Sequence, residues 1–203
     1  MHKTTGKSVT EVRIIEASVQ LFAQRGFRGT STRQIAHLAD VSEATLFRHF
    51  PRKARLFWAA AESRLKQLKL GRHLQTSLAN DVNPAEVIPL IVTFLLETEE
   101  QEPQLLRLLC VAANELRGSE RMFKEHLGPI FDSVNDYFGR CAAKGVVCNV
   151  DPSMVTLGMA AAIGTHRLLH QLFAGKSSRW NTEEMARAHG QLWLNALRSP
   201  GSH

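Results

Sequence analysis

The chain has 203 residues, of which 44% are hydrophobic and 22% are charged, with a formal net charge of +6. This balance is typical of a globular protein and excludes a disordered or fibrous chain. The length allows one compact domain or a small domain joined to a larger one. Cys110, Cys141 and Cys148 are too few and too irregularly spaced for a disulfide framework or a four-ligand zinc site, so we expect reduced thiols.

No segment has the length and apolarity of a membrane span. The longest uncharged apolar stretch, around Met154 to Thr165, is shorter than the roughly 20 residues that cross a bilayer. Met1 to Thr10 is polar and basic and lacks the apolar stretch of a secretory signal. We therefore expect a cytoplasmic protein with no membrane partner.

The charge is concentrated in the first third of the chain. Residues 1–72 hold 14 Lys and Arg against 5 Asp and Glu, a balance of +9, and residues 73–203 hold 11 against 14, a balance of −3. This uneven distribution is typical of a protein whose basic part binds a polyanion while the mildly acidic remainder has another role. The charge alone leaves nucleic acid, an anionic membrane surface and an idle solvated surface open.

The first half of this basic segment predicts two helices before a turn. Apolar residues recur with the helical period from Thr10 to Arg25, and Gly26 ends that helix. Ser31 is placed to cap a second helix, with Gln34 completing a capping box, and this helix is expected to end near Ala39.

A third and a fourth helix are predicted after the turn at Asp40 and Val41. Ser42 is a natural N-cap for a short helix from Glu43 to His49. Pro51 prevents simple continuation, so a fourth helix is predicted from about Arg52 to about Leu78. Two short helices joined by a tight turn, behind a longer helix and in a basic segment, indicate a helix-turn-helix.

The apolar, turn, cap and basic positions of this segment form one pattern, carried by Gly26-Phe27, Thr30-Ser31, Ile35-Ala36, Ala39-Asp40-Val41-Ser42, Thr45-Leu46-Phe47, His49-Phe50-Pro51 and Lys53. This pattern resembles the DNA-binding signature of the tetracycline repressor (TetR) family, and the match covers about the first quarter of the chain.

Four departures from the family pattern accompany the match. Asp40 stands where the family usually has Gly, and we expect the turn to survive because Asp tolerates left-handed backbone. Ala44 stands where Gly is common. Phe47 stands where Tyr is common, and the missing tyrosine hydroxyl is expected to cost one phosphate hydrogen bond. Arg52 replaces a small polar cap and adds a compensating charge.

The helix-turn-helix predicts which residues meet DNA. A helix fits the major groove, where residues near its N-terminus reach base edges and its flanks touch phosphates. We interpret Val41, Leu46, Phe47 and Phe50 primarily as core residues. The predicted DNA-binding set is Thr32, Arg33, Ser42, Glu43, Ala44, Thr45, Phe47, Arg48, His49 and Lys53.

The resemblance implies an all-α fold in two parts. These are a helix-turn-helix domain at residues 1–52 and a larger helical domain for ligand binding and dimerisation at residues 53–203. It also implies that the last two long helices, here Ser153 to Phe173 and Thr182 to Leu197, form a four-helix interface in a homodimer. The alternative is that their apolar stripes pack only within one chain. The predicted interface residues are Leu157, Ala161, Gly164, Leu168, His189, Leu192, Trp193 and Ala196.

Three central helices are candidates for a ligand sensor, at Asn83 to Thr98, Pro103 to Leu116 and Arg121 to Cys141, with a break at Gly128-Pro129. Their apolar residues either line a cavity, like those in which the family binds inducers, or fill a solid core, and periodicity cannot separate the two. Asn114, Glu115 and Tyr137 are the candidate polar groups for orienting a ligand. The predicted ligand-binding set is Ile91, Phe94, Leu95, Leu109, Cys110, Ala113, Asn114, Phe131, Val134 and Tyr137.

No cofactor or metal is predicted. His166 and His170 lie four residues apart on one helix face, but no carboxylate or thiol at matching spacing completes a metal site. No nucleophile elbow, phosphate-binding loop, dinucleotide fingerprint or zinc-protease motif occurs in the sequence, so we expect no enzyme.

The sequence therefore favours a dimeric repressor that binds a palindromic operator and is released by a small, largely apolar ligand. Under this hypothesis the ligand favours a dimer whose two recognition helices are spaced wrongly for the operator, and the long fourth helix transmits the change. A DNA-binding regulator with a packed core, controlled by a protein partner or by abundance, remains an alternative. A helical enzyme or carrier with an incidental basic end is a third.

Overall fold

The computed structural model describes residues 8–80, 82–174 and 181–198, with only the backbone for 167, 168 and 170–174. Every regular element in this part is helical, which confirms the predicted all-α class. An antiparallel bridge between Val147 and Arg198 joins two loop segments. The helices are α1 Val9–Arg25, α2 Thr32–Leu38, α3 Glu43–His49, α4 Lys53–Leu65, α5 Arg72–Ala79, α6 Pro84–Gln101, α7 Leu105–Glu115, α8 Ser119–Met122, a π-helical turn Phe123–Leu127, α9 Gly128–Ala143, α10 Pro152–Ala174 and α11 Thr182–Ala196.

The chain divides into two compact units. The first is Met1–Leu68 with Glu102–Lys124, and the second is Lys69–Gln101 with Glu125–His203. The expected boundary between residues 52 and 53 therefore lies inside the first unit, because α4 packs against α1 and α7 there.

The first unit is built on a core shared by α1 to α4 and α7. Phe22, Ile35, Leu46 and Phe57 are fully buried, and the Phe22 and Phe57 rings meet edge to face at 5.1 Å. Each large buried side chain of this kind contributes about 1.5–3 kcal/mol relative to exposure. These contacts hold the short helices α2 and α3, which are too short to be stable alone.

The predicted continuous helix from 52 to 78 is wrong. The chain leaves helical geometry after α4 and resumes at α5, whose N-cap Gly71 has extended backbone angles. Glycine disfavours a helix interior because it loses the most conformational freedom there. Leu70, Leu74 and Leu78 belong to the core of the second unit, so the apolar pattern continues although the helix does not.

The second unit packs α6 against α10 and α11, and α9 against α5 and α10. Its core includes Ile88, Leu96, Phe138 and Met159, all buried. The predicted break at Gly128-Pro129 marks the start of α9, where Pro129 occupies a position that needs no amide donor. The segment before this break is α8 followed by the π-helical turn.

Candidate nucleic-acid interface

The α2–turn–α3 segment has the caps that the sequence predicted. The Ser31 hydroxyl accepts from the backbone N–H of Gln34 at 3.2 Å. The side-chain oxygen of Gln34 accepts in return from the backbone N–H of Ser31 at 2.9 Å. Ser42 caps α3 by accepting from the Thr45 amide at 3.1 Å. Each cap of this kind contributes about 1 kcal/mol, so the sequence itself sets where both helices begin.

The turn between the two helices is held from α1. Asp40 has φ of 51° and is the only non-glycine residue with positive φ in the described part of the chain. The Arg13 guanidinium donates to both the Asp40 backbone carbonyl and its carboxylate, each at 2.9 Å. The expected left-handed turn at Asp40 is confirmed. Sequence reasoning missed Arg13, which no local pattern points to because it lies 27 residues away.

The third helix is anchored by one fully buried side chain and exposes four of its seven residues. Leu46 is fully buried, whereas Glu43, Ala44 and Arg48 are exposed. Phe47 is 42% exposed, so its assignment to the core is wrong, and its exposure fits its place in the predicted DNA-binding set. The first turn of α3 is thus open to a partner.

The other predicted DNA-binding residues surround this helix. Ser42 is exposed, and Thr45 and His49 are half-buried. At the start of α2, Arg33 is exposed and the Thr32 hydroxyl donates to the Glu43 carboxylate at 3.4 Å. All ten predicted residues lie on α2, α3 or the residues that begin α3 and α4.

Lys53, at the start of α4, is turned toward an aromatic ring. Its ammonium lies 4.4 Å from the centroid of the Phe27 ring. Burial lowers the pKa of Lys53, and the Glu115 carboxylate opposes that shift. A cation over an aromatic face gains about 0.5–1 kcal/mol at such sites, so part of the Lys53 charge is already engaged by the protein.

Glu115 anchors the loop between α1 and α2 to α7. Its carboxylate accepts from the Phe27 amide at 3.3 Å and from the Arg28 amide at 2.8 Å. These amides become available because α1 ends at Gly26, which has φ of 72° and ψ of 177°. Glu115 was expected as a ligand-orienting group, but its carboxylate is used for this loop.

The predicted ligand-binding residues are divided between the two units. Ile91, Val134 and Tyr137 are buried in the core of the second unit. The Tyr137 hydroxyl donates to the Val82 carbonyl at 2.7 Å. The half-buried members of this unit are Phe94, Leu95 and Phe131, and on α7, in the first unit, Leu109 is half-buried while Cys110, Ala113 and Asn114 are exposed.

Helices α10 and α11 present exposed apolar side chains. Leu157 is 56% exposed and Leu192 is 58% exposed. Met154 and Leu169 on α10 are also exposed. Of the remaining predicted interface residues, Ala161 and Ala196 are exposed, Gly164, His189 and Trp193 are half-buried, and the Leu168 side chain lies outside the described residues.

Two histidines from these helices meet. His189 Nε2 lies 3.4 Å from His166 Nδ1, and the ring planes are inclined at 82°. Burial lowers the pKa of His189, with a further contribution from His166. The sequence pointed instead to His170, whose side chain lies outside the described part.

Within residues 8–80, 82–174 and 181–198, none of the helices combines the length and apolar character that a bilayer crossing requires.

The sequence profile of bacterial regulatory proteins of the tetR family matches residues 14–60, which run from α1 into α4. The HTH-type transcriptional regulator RutR of Escherichia coli K12 is 30% identical over 159 residues, which are 74% of this chain and 72% of RutR. The chain belongs to the TetR family. It is therefore a transcriptional regulator with a DNA-binding helix-turn-helix, and the predicted resemblance is confirmed.

Solved structures share the fold over most of the chain. A tetR-family regulatory protein from Rhodococcus RHA1 has a TM-score of 0.75 at 15% identity, covering 96% of this chain and 100% of that one. AibR, in complex with isovaleryl coenzyme A and operator DNA, has a TM-score of 0.72 at 16% identity, covering 90% and 97%. At these identities the likeness extends to the fold alone.

Proposed function

We propose that this TetR-family regulator is a homodimeric repressor that binds a palindromic operator and releases it when a small, largely apolar ligand binds. The observation that carries the proposal is the geometry of α3. Leu46 fixes the helix to the core, and its capped N-terminal turn is open to solvent. A helix held in this way can enter a major groove with its first residues at the base edges.

The residues of α3 divide by the contact each can make. Glu43 accepts from a cytosine amine and Ala44 contacts a thymine methyl, since these are the groups those side chains recognise. Arg48 is exposed and long enough to reach a base or a phosphate. Arg33 and Lys53 contact phosphates and set the register of the protein on the duplex.

Dimerisation follows from the amount of sequence that one short helix can read. A single recognition helix contacts too few base pairs to select a site, so such modules work in pairs on two-fold symmetric sites. The exposed leucines of α10 and α11 supply a surface for a second copy, because apolar side chains of this size gain by leaving water. Leu157 and Leu192 are its central contacts.

A ligand for the second unit is supported by the apolar character of its helices. Ile91, Phe94 and Leu95 belong to or pack on its core, and the shared fold holds isovaleryl coenzyme A in AibR. An acyl thioester is accordingly the first ligand class to test.

One observation favours a second candidate, a regulator without a small-molecule inducer. Ile91, Val134 and Tyr137 are buried, and the Tyr137 hydroxyl is already bonded within the protein. This is what a packed core requires. In that case a protein partner or the abundance of the regulator controls DNA binding.

DNA binding is tested by selecting an operator from random duplexes and measuring its affinity by fluorescence anisotropy at several salt concentrations. The affinity should fall as salt rises, because bound phosphates release counterions. Arg48→Ala should reduce the preference for the operator over random DNA, and Lys53→Ala should weaken both duplexes alike. Wild-type binding by both variants, or a flat salt dependence, would contradict the proposed interface.

The ligand is tested by a thermal-shift screen with acyl thioesters, aromatic acids and apolar antibiotics. At about a hundredfold excess over its dissociation constant, a ligand adds about 2.7 kcal/mol to the stability of the folded state. A hit that also releases the operator supports the ligand-responsive repressor. A blank screen with intact DNA binding favours the packed-core alternative.

A further inference from the structure

A hydrogen bond joins the first residues of the two helices of the helix-turn-helix. Thr32 begins α2, Glu43 begins α3, and the Thr32 hydroxyl donates to Glu43 Oε2 at 3.4 Å. This distance exceeds the usual value of about 2.7–2.8 Å between two oxygens, so the contact keeps the Glu43 side chain near α2 without locking it. The core fixes the backbone of both partners, because Ile35 of α2 and Leu46 of α3 are fully buried.

The single hydrogen of the Thr32 hydroxyl decides what else this side chain can contact. Phosphate oxygens accept hydrogen bonds, so a side chain that binds a phosphate has to donate. While Thr32 donates to Glu43, it has no second hydrogen for a phosphate. The exposed Arg33 is then the phosphate contact at the start of α2, and the Thr32 hydroxyl serves Glu43.

Glu43 is the polar side chain in the first turn of α3 that is open to a base. Ser42 and Thr45 exchange a hydrogen bond between their hydroxyls at 3.0 Å, and the Ser42 oxygen also accepts from the Thr45 amide. Ala44 has no polar side-chain atom. Glu43 is exposed, and within the described residues its carboxylate accepts from Thr32 through Oε2, which leaves Oε1 for a donor on DNA.

The carboxylate restricts which bases Glu43 can contact. An ionised carboxylate accepts hydrogen bonds and cannot donate them. In the major groove the amines of cytosine and adenine donate, whereas the oxygens of guanine and thymine accept. Cytosine is favoured over adenine, because N7 beside the adenine amine is a second acceptor that a carboxylate cannot satisfy.

We propose that Glu43 is a specificity-determining residue that requires cytosine at one position of each operator half-site, and that Thr32 is its positioning residue. The inference rests on the proposed operator binding, and it adds the base that is selected and the group that orients the selecting side chain. Side chains that read a partner depend on supporting hydrogen bonds for their geometry. Removal of the Thr32 hydroxyl therefore releases the Glu43 carboxylate into other rotamers.

The test begins with selection of duplexes from a random library by the full wild-type chain and by Glu43→Ala. We expect the wild type to select a cytosine in each half-site that Glu43→Ala does not require. Fluorescence anisotropy then gives the affinities for four duplexes that differ only at this base pair. The wild type should prefer cytosine to guanine or thymine about tenfold, Glu43→Ala should bind the four alike, and Glu43→Gln should prefer adenine, whose N6 and N7 match an amide.

Variants of Thr32 separate positioning from a phosphate contact. Thr32→Val should reduce the cytosine preference about threefold, as loss of one hydrogen bond of modest net strength would. In the Glu43→Ala background the same substitution should leave the base preference unchanged, since no carboxylate is left to position. Thr32→Ser keeps the hydroxyl and should restore the preference, and Thr32→Ala repeats the test if Thr32→Val loses its helical circular dichroism. Thr76→Val, at an exposed threonine of α5, is the matched control and should bind as the wild type does.

Three results would overturn the inference. A selected operator without a cytosine that Glu43→Ala ceases to require would exclude base reading by Glu43. An equal loss of affinity for all four duplexes in Thr32→Val, with the cytosine preference intact, would assign Thr32 to a phosphate. Failure of the wild type to select any duplex would overturn the proposed operator binding and this inference with it, whereas the first two results would leave operator binding in place.

Discussion

The contact of Glu115 with the loop after α1 gives a prediction that can be worked out in kcal/mol. Glu115→Ala removes a carboxylate that accepts from the Phe27 and Arg28 amides at 3.3 and 2.8 Å. Hydrogen bonds to a charged group contribute about 1.5–3 kcal/mol each. The longer bond is weak and the Arg28 amide is exposed to water, so we expect a total loss of about 1–2 kcal/mol in the free energy of unfolding.

Gly26 makes the same contact testable from the other side. Its φ of 72° with ψ of 177° falls in a region that is essentially confined to glycine, where another residue costs about 1–3 kcal/mol. A Cβ at this position would also lie 2.6 Å from Glu115 Oε1. Gly26→Ala therefore strains the backbone and displaces the carboxylate, for a total of about 2–5 kcal/mol.

The two substitutions should not add. Once Glu115 is alanine, Gly26→Ala retains its backbone strain but has no carboxylate to displace, so the double variant should be about as stable as Gly26→Ala alone. The coupling energy should be about 1–2 kcal/mol, within the range for residues in contact.

The assay is urea unfolding followed by far-ultraviolet circular dichroism, with the slopes compared between variants. Glu97→Ala on α6, at an exposed position, is the control and should change stability by less than about 0.5 kcal/mol. Additive effects, or a stability of Glu115→Ala equal to that of the control, would refute the reasoning.

Three further predictions follow from other contacts. Asp40→Gly relieves a positive φ and loses only an exposed ion pair, so its free energy of unfolding in urea should remain within about 1 kcal/mol of the wild-type value. Asp40→Val should lower that free energy by about 1–2 kcal/mol, because a β-branched residue disfavours left-handed backbone. Equal stabilities of the two variants would exclude a strained turn. Burial raises the pKa of Glu102, Arg64 opposes the shift and Glu16 adds to it, so the folded state binds this proton more tightly. The stability of wild type minus that of Glu102→Gln should therefore fall as the pH rises from about 4 to about 7, and a rise would show the opposite sign of shift. Leu192→Lys should give monomers in sedimentation equilibrium. The control is Val12→Lys, which places the same charge at an exposed valine on α1. If the control is also monomeric, the effect comes from the added charge and not from the α11 surface.

The parts of the fold that sequence predicted best are those decided within a few residues. Ser31, Gln34 and Ser42 each satisfy an amide three residues away or less, so their caps are visible in the printed sequence. Asp40 was predicted to keep the turn because its side chain tolerates left-handed backbone, and it does.

Contacts between distant residues were not predictable in this way. Arg13 reaches Asp40 over 27 residues, and Glu115 reaches Arg28 over 87. His166 was noticed for a neighbour on its own helix, whereas its ring meets His189, 23 residues away. In each case the helical period fixes which face a residue occupies but not which helix packs on that face.

The continuous fourth helix failed for a related reason. Leucines recur through the break, at positions 65, 68, 70, 74 and 78, although Leu65 is buried in the first unit and Leu70 in the core of the second. Periodicity reports that each residue is buried, and the same pattern results whether one helix is buried throughout or two helices are buried in different cores.

The break changes where a ligand signal has to travel under the proposed function. Without a helix running from 52 to 78, the chain connects the two units at three places: between residues 68 and 69, between 101 and 102, and between 124 and 125. The last two connections enclose α7 and α8, and the third lies inside the π-helical turn, a geometry that often marks functional positions. Since α7 ends at Glu115, which holds the loop before α2, a displacement of α7 would act directly on the loop that leads into the helix-turn-helix. Glu115→Gln should then alter ligand-dependent release of DNA more than it alters DNA affinity without ligand, whereas equal effects on both would assign Glu115 to the stability of the first unit alone.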